Sequence, residues 1–381
     1  MIHPKQLYDL LNNNGLNFYC GVPDSTLKDF CAYITDNSPK EKNITTANEG
    51  NAIALATGYH FATGKYGVMF MQNSGLGNTI NPLTSLTDPE VYSVPLLMII
   101  GWRGYPGKKD EPQHIKKGMI TLGLLNTLGI PYAILPETKE ETEKVIQKAV
   151  QYMHKNNAPY ALVVKKGLFE KYQLQNKHDT HFAFSREDAI KFITPFLDEN
   201  DIVVSTTGKT SRELFEFRAS SNAGHQRDFL TVGSMGHASS IGLGIALQKP
   251  SRNVYCFDGD GAFIMHMGAL SSIGKLQPSN FKHIVFNNYA HDSVGGQPTA
   301  ADIIDIPTIA KANGYKAAFS AETEDEIREK MKEMKNIEGP VLLEVKVNKG
   351  SRGDLGRPTK TPIQNKVSFM NFLQNDIQND I

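Results

Sequence analysis

The sequence predicts an α/β protein made of two similar, doubly wound domains, each built around a mostly parallel sheet. Three observations carry this. Short apolar runs alternate with helical stretches along the whole chain, the alternation occurs twice around one polar break, and the stretch Glu49–Gly75 of the first half aligns on Met235–Gly261 of the second without a gap. At 381 residues the chain exceeds one ordinary core and suits two.

The strand candidates follow in order. "NFYCGV", "YGVMFMQ" and "PLLMIIG" belong to the first half, and "DIVVST", "NVYCFDG", "HIVFNN" and "VLLEVKV" to the second. Most are apolar throughout rather than alternating, the pattern of strands covered by helices on both faces. The polar segment Glu170 to Phe184 interrupts the rhythm and sets the expected division: a first domain over 1–172, a linker over 173–185 and a second domain over 186–381. Near the C-terminus, Val367, Met370, Phe372, Leu373 and Ile377 recur at near-helical spacing, which predicts a packing helix.

Composition narrows the partners. Lys plus Arg equal Asp plus Glu at 40 each, so no net field steers the chain to nucleic acid or an acidic membrane, and an anionic ligand must be caught locally. The opening residues lack an apolar signal core, and the longest apolar run, Val94 to Trp102, is too short to span a bilayer. A soluble cytoplasmic protein is expected. Cys20, Cys31 and Cys256 lie apart in apolar contexts, which predicts reduced core thiols rather than a disulfide framework.

The internal repeat is the most informative feature. Setting Gly50 on Gly236 brings Gly58 onto Gly244 and Gly75 onto Gly261. In each copy a glycine opens a helix of small residues that can lie close to the sheet, and a strand then ends in a glycine-bearing turn. The polar residues differ: Glu49 stands where the second copy has Met235, and Ser74 where it has Asp260. Two like folds with unlike polar groups suggest one ligand gripped at its two ends.

Asp260 follows one apolar strand and Asn287 with Asn288 closes the next. In a parallel sheet both ends lie on the carboxyl edge, where open α/β sheets bind ligands. A carboxylate and an amide oxygen are hard ligands, suited to Mg2+ that keeps other positions for water and phosphate oxygens. Taken singly, "DGDG" reads as a tight turn and "NN" as an Asx turn; together, on consecutive strands, they favour a magnesium diphosphate site.

Gly259-Asp260-Gly261, the spacer to Phe286 and Asn287-Asn288 resemble the diphosphate-binding signature of thiamine diphosphate enzymes. "GSMGHASSIGLGIAL" resembles the helix that opens their cofactor domain, and Glu49 in "TTANEGNAIALATGYHFATG" matches the glutamate they offer to the aminopyrimidine ring. The resemblance covers nearly the whole chain. It implies the thiamine diphosphate-binding fold without a central third domain, residues 1–172 taking the pyrimidine and 186–381 the diphosphate and metal. It implies thiamine diphosphate contacts from Glu49, Ser74, Gly75, Ser234, Met235, His237, Gly259, Asp260, Gly261, Ala262 and Asn288. Mg2+ is then held by Asp260, the Asn288 side chain and the Ala290 carbonyl, and Glu49 activates the cofactor. It further implies a homodimer or larger homo-oligomer with active sites at the subunit interface. Read by itself, a carboxylate at the start of an otherwise apolar helix has a helix-dipole role as its local alternative.

Within that family, "GVPDS", "RGYPGKKDEPQH" and "RGDLGRPTKTPIQNK" resemble the two-domain decarboxylases of phosphonopyruvate and, less closely, of sulfopyruvate. The resemblance implies decarboxylation of 3-phosphonopyruvate to phosphonoacetaldehyde in aminoethylphosphonate biosynthesis. A dianionic head group calls for local cations. Arg103, Arg352 and Arg357, with Gln113, are the substrate candidates, and Lys108, Lys109 and Lys360 lie in the same loops. Asp24 and His114 are proton-handling candidates beside Glu49. The acid that larger family members carry two residues after the proline is Ser25 here, and their histidine pair is absent.

Other motifs carry less. "TTGKTS" lacks the leading glycine of a P-loop, Val203 standing there, and "GLGIAL" lacks the third glycine of a dinucleotide fingerprint. A metal-dependent glycosyltransferase using Asp258 and Asp260, and a non-catalytic cofactor-binding regulator, are the readings from other classes.

Overall fold

A computed structural model describes residues 1–176 and 179–374. Twelve strands form: β1 Tyr19–Gly21, β2 Asn43–Thr45, β3 Gly67–Gln72, β4 Leu96–Trp102, β5 Tyr132–Ile134 and β6 Tyr160–Lys165, then β7 Ile202–Ser205, β8 Asp228–Leu230, β9 Val254–Gly259, β10 Phe281–Asn287, β11 Ala317–Ala321 and β12 Val341–Lys346. They make two six-stranded sheets, in the orders β2-β1-β3-β4-β6-β5 and β11-β12-β10-β9-β7-β8, and the pairings within both are parallel. Traced from its other edge, the first order is β5-β6-β4-β3-β1-β2, position for position the second. The repeat seen in the sequence is thus a repeat of the whole sheet. The chain divides into two compact units, residues 1–177 with 291–298 and residues 178–290 with 299–381.

The apolar runs have the predicted cause. In the first unit Val68 and Phe70 of β3 and Leu97 and Ile99 of β4 enter one buried layer, while Met69 and Met71, with Leu96, Met98 and Ile100, enter the layer on the opposite face. Successive residues point to opposite faces of a strand, so a strand covered on both faces is apolar at most positions. The second unit repeats this with Tyr255 and Phe257 on one side of β9 and Val254 and Cys256 on the other.

The small-residue helices do lie close to their sheets. Ala52, Ile53 and Ala56 of the helix Glu49–Thr63 pack into the layer of Met69 and Met71, and Ala238 and Ala246 of the helix Ala238–Gln248 pack with Val254 and Phe281. The three cysteines are free and buried. Between Glu170 and Phe184, Tyr172 and Gln175 donate backbone N–H groups to Asp29 and Asp36, and Phe182 exchanges hydrogen bonds with Asn348. These polar residues therefore satisfy backbone groups, each side within its own unit.

One expectation is corrected in the helix Pro362–Gln374. Phe369 is buried and Phe372 and Leu373 pack beside it, but Val367 and Met370 are 49% and 42% exposed, so the buried stripe runs through Asn365 and Phe369 instead. Asn365 earns its inward position by accepting from Leu230 N–H and donating to the Asp228 carbonyl, tying the helix to β8. Ile377 lies outside the described residues. Among the described residues no helix is long and apolar enough to cross a membrane.

Candidate active site

In the first unit the site forms at the start of the helix Glu49–Thr63. Asn48 caps it, its side chain accepting from Asn51 N–H at 3.0 Å, and Glu49 occupies the first helical position with 5% exposure. The Glu49 carboxylate accepts from Asn78 Nδ2 at 2.7 Å, and the backbone of Gly75 passes directly beneath it. A Cβ on Gly75 would stand 2.2 Å from Glu49 Oε1 and 2.4 Å from its Cδ, so only glycine leaves the carboxylate its place. Lys117, half-buried on the helix Pro112–Thr127, feels the charge of Glu49; burial lowers its pKa and that charge opposes the shift.

Next to this lies a hydrogen-bonded chain: Ser74 Oγ donates to Gln72 Oε1 at 2.8 Å, and Gln72 Nε2 donates to Asp24 Oδ1 at 2.5 Å. Asp24 is fully buried and also accepts from the N–H groups of Thr26 and Leu27. Burial raises its pKa, and these donors with Arg103 pull it back. Its carboxylate thus holds the turn after β1 and Gln72. His114 is buried in the first turn of its helix, with its carbonyl against Gly104. Gln113 beside it is half-buried, its Oε1 buried without a hydrogen-bond partner.

Two of the arginine candidates are held by acids of their own units. Arg103 donates from Nε and Nη2 to the two oxygens of Asp110 at 2.7 and 2.5 Å, and from Nη1 to Ser25 Oγ at 2.8 Å. This pairing holds the Asp110 carboxyl well below its ordinary range. Arg352, in the second unit, pairs with Glu187, Glu216 and Asp354. Arg357, Lys108, Lys109 and Lys360 are exposed.

In the second unit β9 and β10 pair as parallel neighbours with Phe286 opposite Gly259, so Asp260 and the Asn287–Asn288 pair leave the sheet side by side. Asp260 opens the short helix Asp260–Met265, with Gly261 and Ala262 in its first turn, and is 4% exposed. Burial pushes its pKa up to about 7, and its side-chain donor is Thr299 Oγ1 at 2.5 Å, a residue far along the sequence. The positive charge that Asp260 feels is that of Arg186, which itself pairs with Glu213, so burial outweighs it. The two asparagines separate in role. Asn287 turns back into the sheet, donating to Glu344 at 2.7 Å and accepting from Tyr289 N–H, whereas Asn288 Oδ1 accepts from Ala290 N–H at 3.1 Å in the loop beyond. Tyr289 between them takes a left-handed φ of +59°. Carboxylate, amide and main-chain oxygens at this edge make a hard donor set that fits Mg2+. Ser234, at φ +53°, and Gly236, at φ +83°, turn the chain into the helix Ala238–Gln248, with Met235 half-buried between them; the His237 ring lies 4.3 Å from that of His266, tilted by 49°.

Sequence reasoning missed Asn78, Gln72 and Thr299. Asn78 stands three residues after Gly75 on the next helical turn, a signal that was available; Thr299 has no local signal and reaches Asp260 only through the fold.

Residues 4–121 match the thiamine pyrophosphate enzyme N-terminal TPP binding domain and residues 206–345 the C-terminal TPP binding domain. The chain belongs to the thiamine diphosphate-dependent decarboxylases. It is similar to the phosphonopyruvate decarboxylases of Streptomyces viridochromogenes, 33% identical over 98% of this chain and 95% of the relative, and of Streptomyces hygroscopicus, 32% identical over 98% and 94%. The sulfopyruvate decarboxylase of Methanosarcina acetivorans is 27% identical over 92% of this chain and 93% of the relative.

Proposed function

We propose that the protein decarboxylates 3-phosphonopyruvate to phosphonoacetaldehyde with thiamine diphosphate and Mg2+, in the cytoplasm, as a step of 2-aminoethylphosphonate biosynthesis. The observation that carries the substrate is the end-to-end similarity to phosphonopyruvate decarboxylases at 32–33% identity, against 27% for the full-length sulfopyruvate relative. The glycosyltransferase reading falls with the family membership.

When bound, the cofactor would supply the electron sink that takes the pair left behind as carbon dioxide departs. The chain's residues do the rest. Glu49, held by Asn78 over Gly75, hydrogen-bonds the aminopyrimidine nitrogen and fixes its protonation state. Asp260, Asn288 and the Ala290 carbonyl would hold Mg2+, Ser234, Met235, His237, Gly259, Gly261 and Ala262 would serve the diphosphate end of the cofactor, and Ser74 and Gly75 the ring end. His114 and Gln113 open the helix Pro112–Thr127, whose Thr121 accepts from Asn73 beside Ser74, and they take the proton-handling and polar contacts of the substrate; Asp24 positions Gln72. Arg103 keeps the loop shaped through Asp110 while directing Nη1 toward Ser25. We assign residues 1–172 to the pyrimidine end, 173–185 to the linker and 186–381 to the diphosphate end.

A homo-oligomer with active sites at subunit interfaces is part of this reading. Its support is a matched pair of bare helix faces. Ala54, Gly58 and Phe61 are exposed on one repeat helix and Ser240, Gly244 and Leu247 on the other, and a Cβ at Gly58 or Gly244 would meet nothing within 4 Å among the described residues. An interior helical glycine costs about 1 kcal/mol relative to alanine, so retaining it where its own unit leaves room points to a neighbour that packs there.

Carbon dioxide release from 3-phosphonopyruvate, 3-sulfopyruvate and pyruvate, side by side, tests the proposal. Preference for phosphonopyruvate supports it; preference for sulfopyruvate overturns the head-group assignment and keeps the cofactor chemistry.

A further inference from the structure

Beneath the cofactor edge of the second unit, three ligand-bearing side chains converge that the decarboxylation does not use. Cys256 and Asp258 are two apart on β9 and therefore share a face. His283 on β10 is the register partner of Cys256, and Val285 that of Asp258. The three are 0%, 1% and 1% exposed, and their ligand atoms all lie within 4.8 Å of one another.

The histidine is set up as a ligand. Its Nδ1 is engaged by the Tyr315 hydroxyl at 3.2 Å, while Nε2, fully buried, has no hydrogen-bond partner and faces Asp258 Oδ2 at 3.6 Å. Asp258 Oδ1 accepts from Gly259 N–H at 3.1 Å, which leaves Oδ2 for the cluster. Metal-ligating histidines characteristically donate their other ring nitrogen to an outer oxygen in this way.

We propose that Cys256, Asp258 and His283 form a second, buried metal site that takes Zn2+, separate from the Mg2+ site above it. Zinc binds sulfur at about 2.3 Å, nitrogen at about 2.0 Å and oxygen at about 2.1 Å, and tetrahedral angles then set neighbouring donors roughly 3.3 to 3.6 Å apart. The histidine–aspartate separation already has that span. Thiolate, imidazole and carboxylate are a borderline-soft set that Mg2+ does not select. A thiolate and a carboxylate also cancel the charge of a divalent cation, giving a neutral centre among Phe263, Phe281 and Val285. The ion would cross-link β9 to β10 just below the ends that carry Asp260 and Asn288, fixing their spacing.

The test uses the untagged full chain, expressed with zinc and dialysed against metal-free buffer, then measured for zinc by elemental analysis. Because the cluster is closed to solvent, a second sample is unfolded and refolded with Co2+ alone. About one zinc per chain and a thiolate-to-cobalt charge-transfer band are expected. Cys256→Ser, checked for folding by circular dichroism, should lose the band and most of the zinc while still binding Mg2+ and thiamine diphosphate. The band separates this site from Asp260 and Asn288, which offer oxygen alone. Negligible zinc together with no band in the refolded wild-type chain overturns the proposal, as does metal retained unchanged by Cys256→Ser.

Discussion

The Glu49 carboxylate occupies the space that a side chain on Gly75 would fill: a Cβ there would lie 2.2 Å from Oε1. These two residues are far apart in sequence and are set against each other by the turn after β3. Gly75→Ala should therefore displace Glu49 without removing it. Loss of a positioned acid–base group typically costs 10²- to 10⁴-fold. We expect turnover to fall by about 100-fold in Gly75→Ala, and by at least as much in Glu49→Gln, with thiamine diphosphate and Mg2+ still bound. Steady-state kinetics beside cofactor titration decide this; an active Gly75→Ala would show that the carboxylate's position is not critical.

Asn78 donates the hydrogen bond that orients Glu49. Asn78→Ala should lower kcat by roughly tenfold with little change in melting temperature, since Asn78 is exposed and one such bond contributes about 1 kcal/mol. Equal kcat in wild type and variant would remove Asn78 from the site.

Asp260 gives a pH dependence of defined sign. Burial raises its pKa from 3.8 to about 7 in the metal-free chain, so between about pH 4 and 7 the folded state holds a proton that the unfolded state releases. Stability of the metal-free chain should fall as pH rises through that window, by up to about 1.4 kcal/mol per pH unit, and level off above it. Mg2+ competes with the same proton, so its apparent affinity should rise up to tenfold per unit until about pH 7 and then flatten. Calorimetric Mg2+ titrations in the presence of thiamine diphosphate across this range read the slope, and Asp260→Asn should abolish it. A flat profile in the wild-type chain would contradict the assignment.

Arg103 and Asp110 form a half-buried bidentate pair, so removing one partner strands the other. Arg103→Met should raise KM for phosphonopyruvate and lower thermal stability, and Asp110→Asn should lower stability as well. A double-mutant cycle separates shaping of the loop from contact with substrate: if Arg103 acts only through Asp110, the double variant has the KM of either single one.

Gly58→Leu and Gly244→Leu probe the bare helix faces. Each unit has room for the new side chain, and leucine favours a helix over glycine by about 0.8 kcal/mol, so both variants should fold. Sedimentation should show smaller assemblies, with activity reduced in parallel. Unchanged assembly and activity would mean that these faces are free in the working enzyme.

The division between what was legible early and late follows the range of the interactions. Strand runs such as "VMFMQ" and "LLMIIGW" announced two-sided burial because alternate residues serve opposite faces, and the repeat announced a duplicated sheet, which the matched strand orders realise. Glu49, Asp260 and Asn288 were visible because each sits at an element end inside a local pattern. The adjacent asparagines were not separable by sequence; only the pairing of β10 with β12 turns Asn287 toward Glu344 and leaves Asn288 in the loop. Val367 and Met370 misled because helical spacing gives a period but not which face finds a partner.

By itself, then, the sequence determined the two-sheet architecture and the family, since these rest on local residue patterns and their repetition. Tertiary structure alone decided charge and reach. It placed Asp110 on Arg103, three acids on Arg352 and Thr299 on Asp260, because whether a charge is free or spent depends on neighbours that the chain brings together only when its loops close.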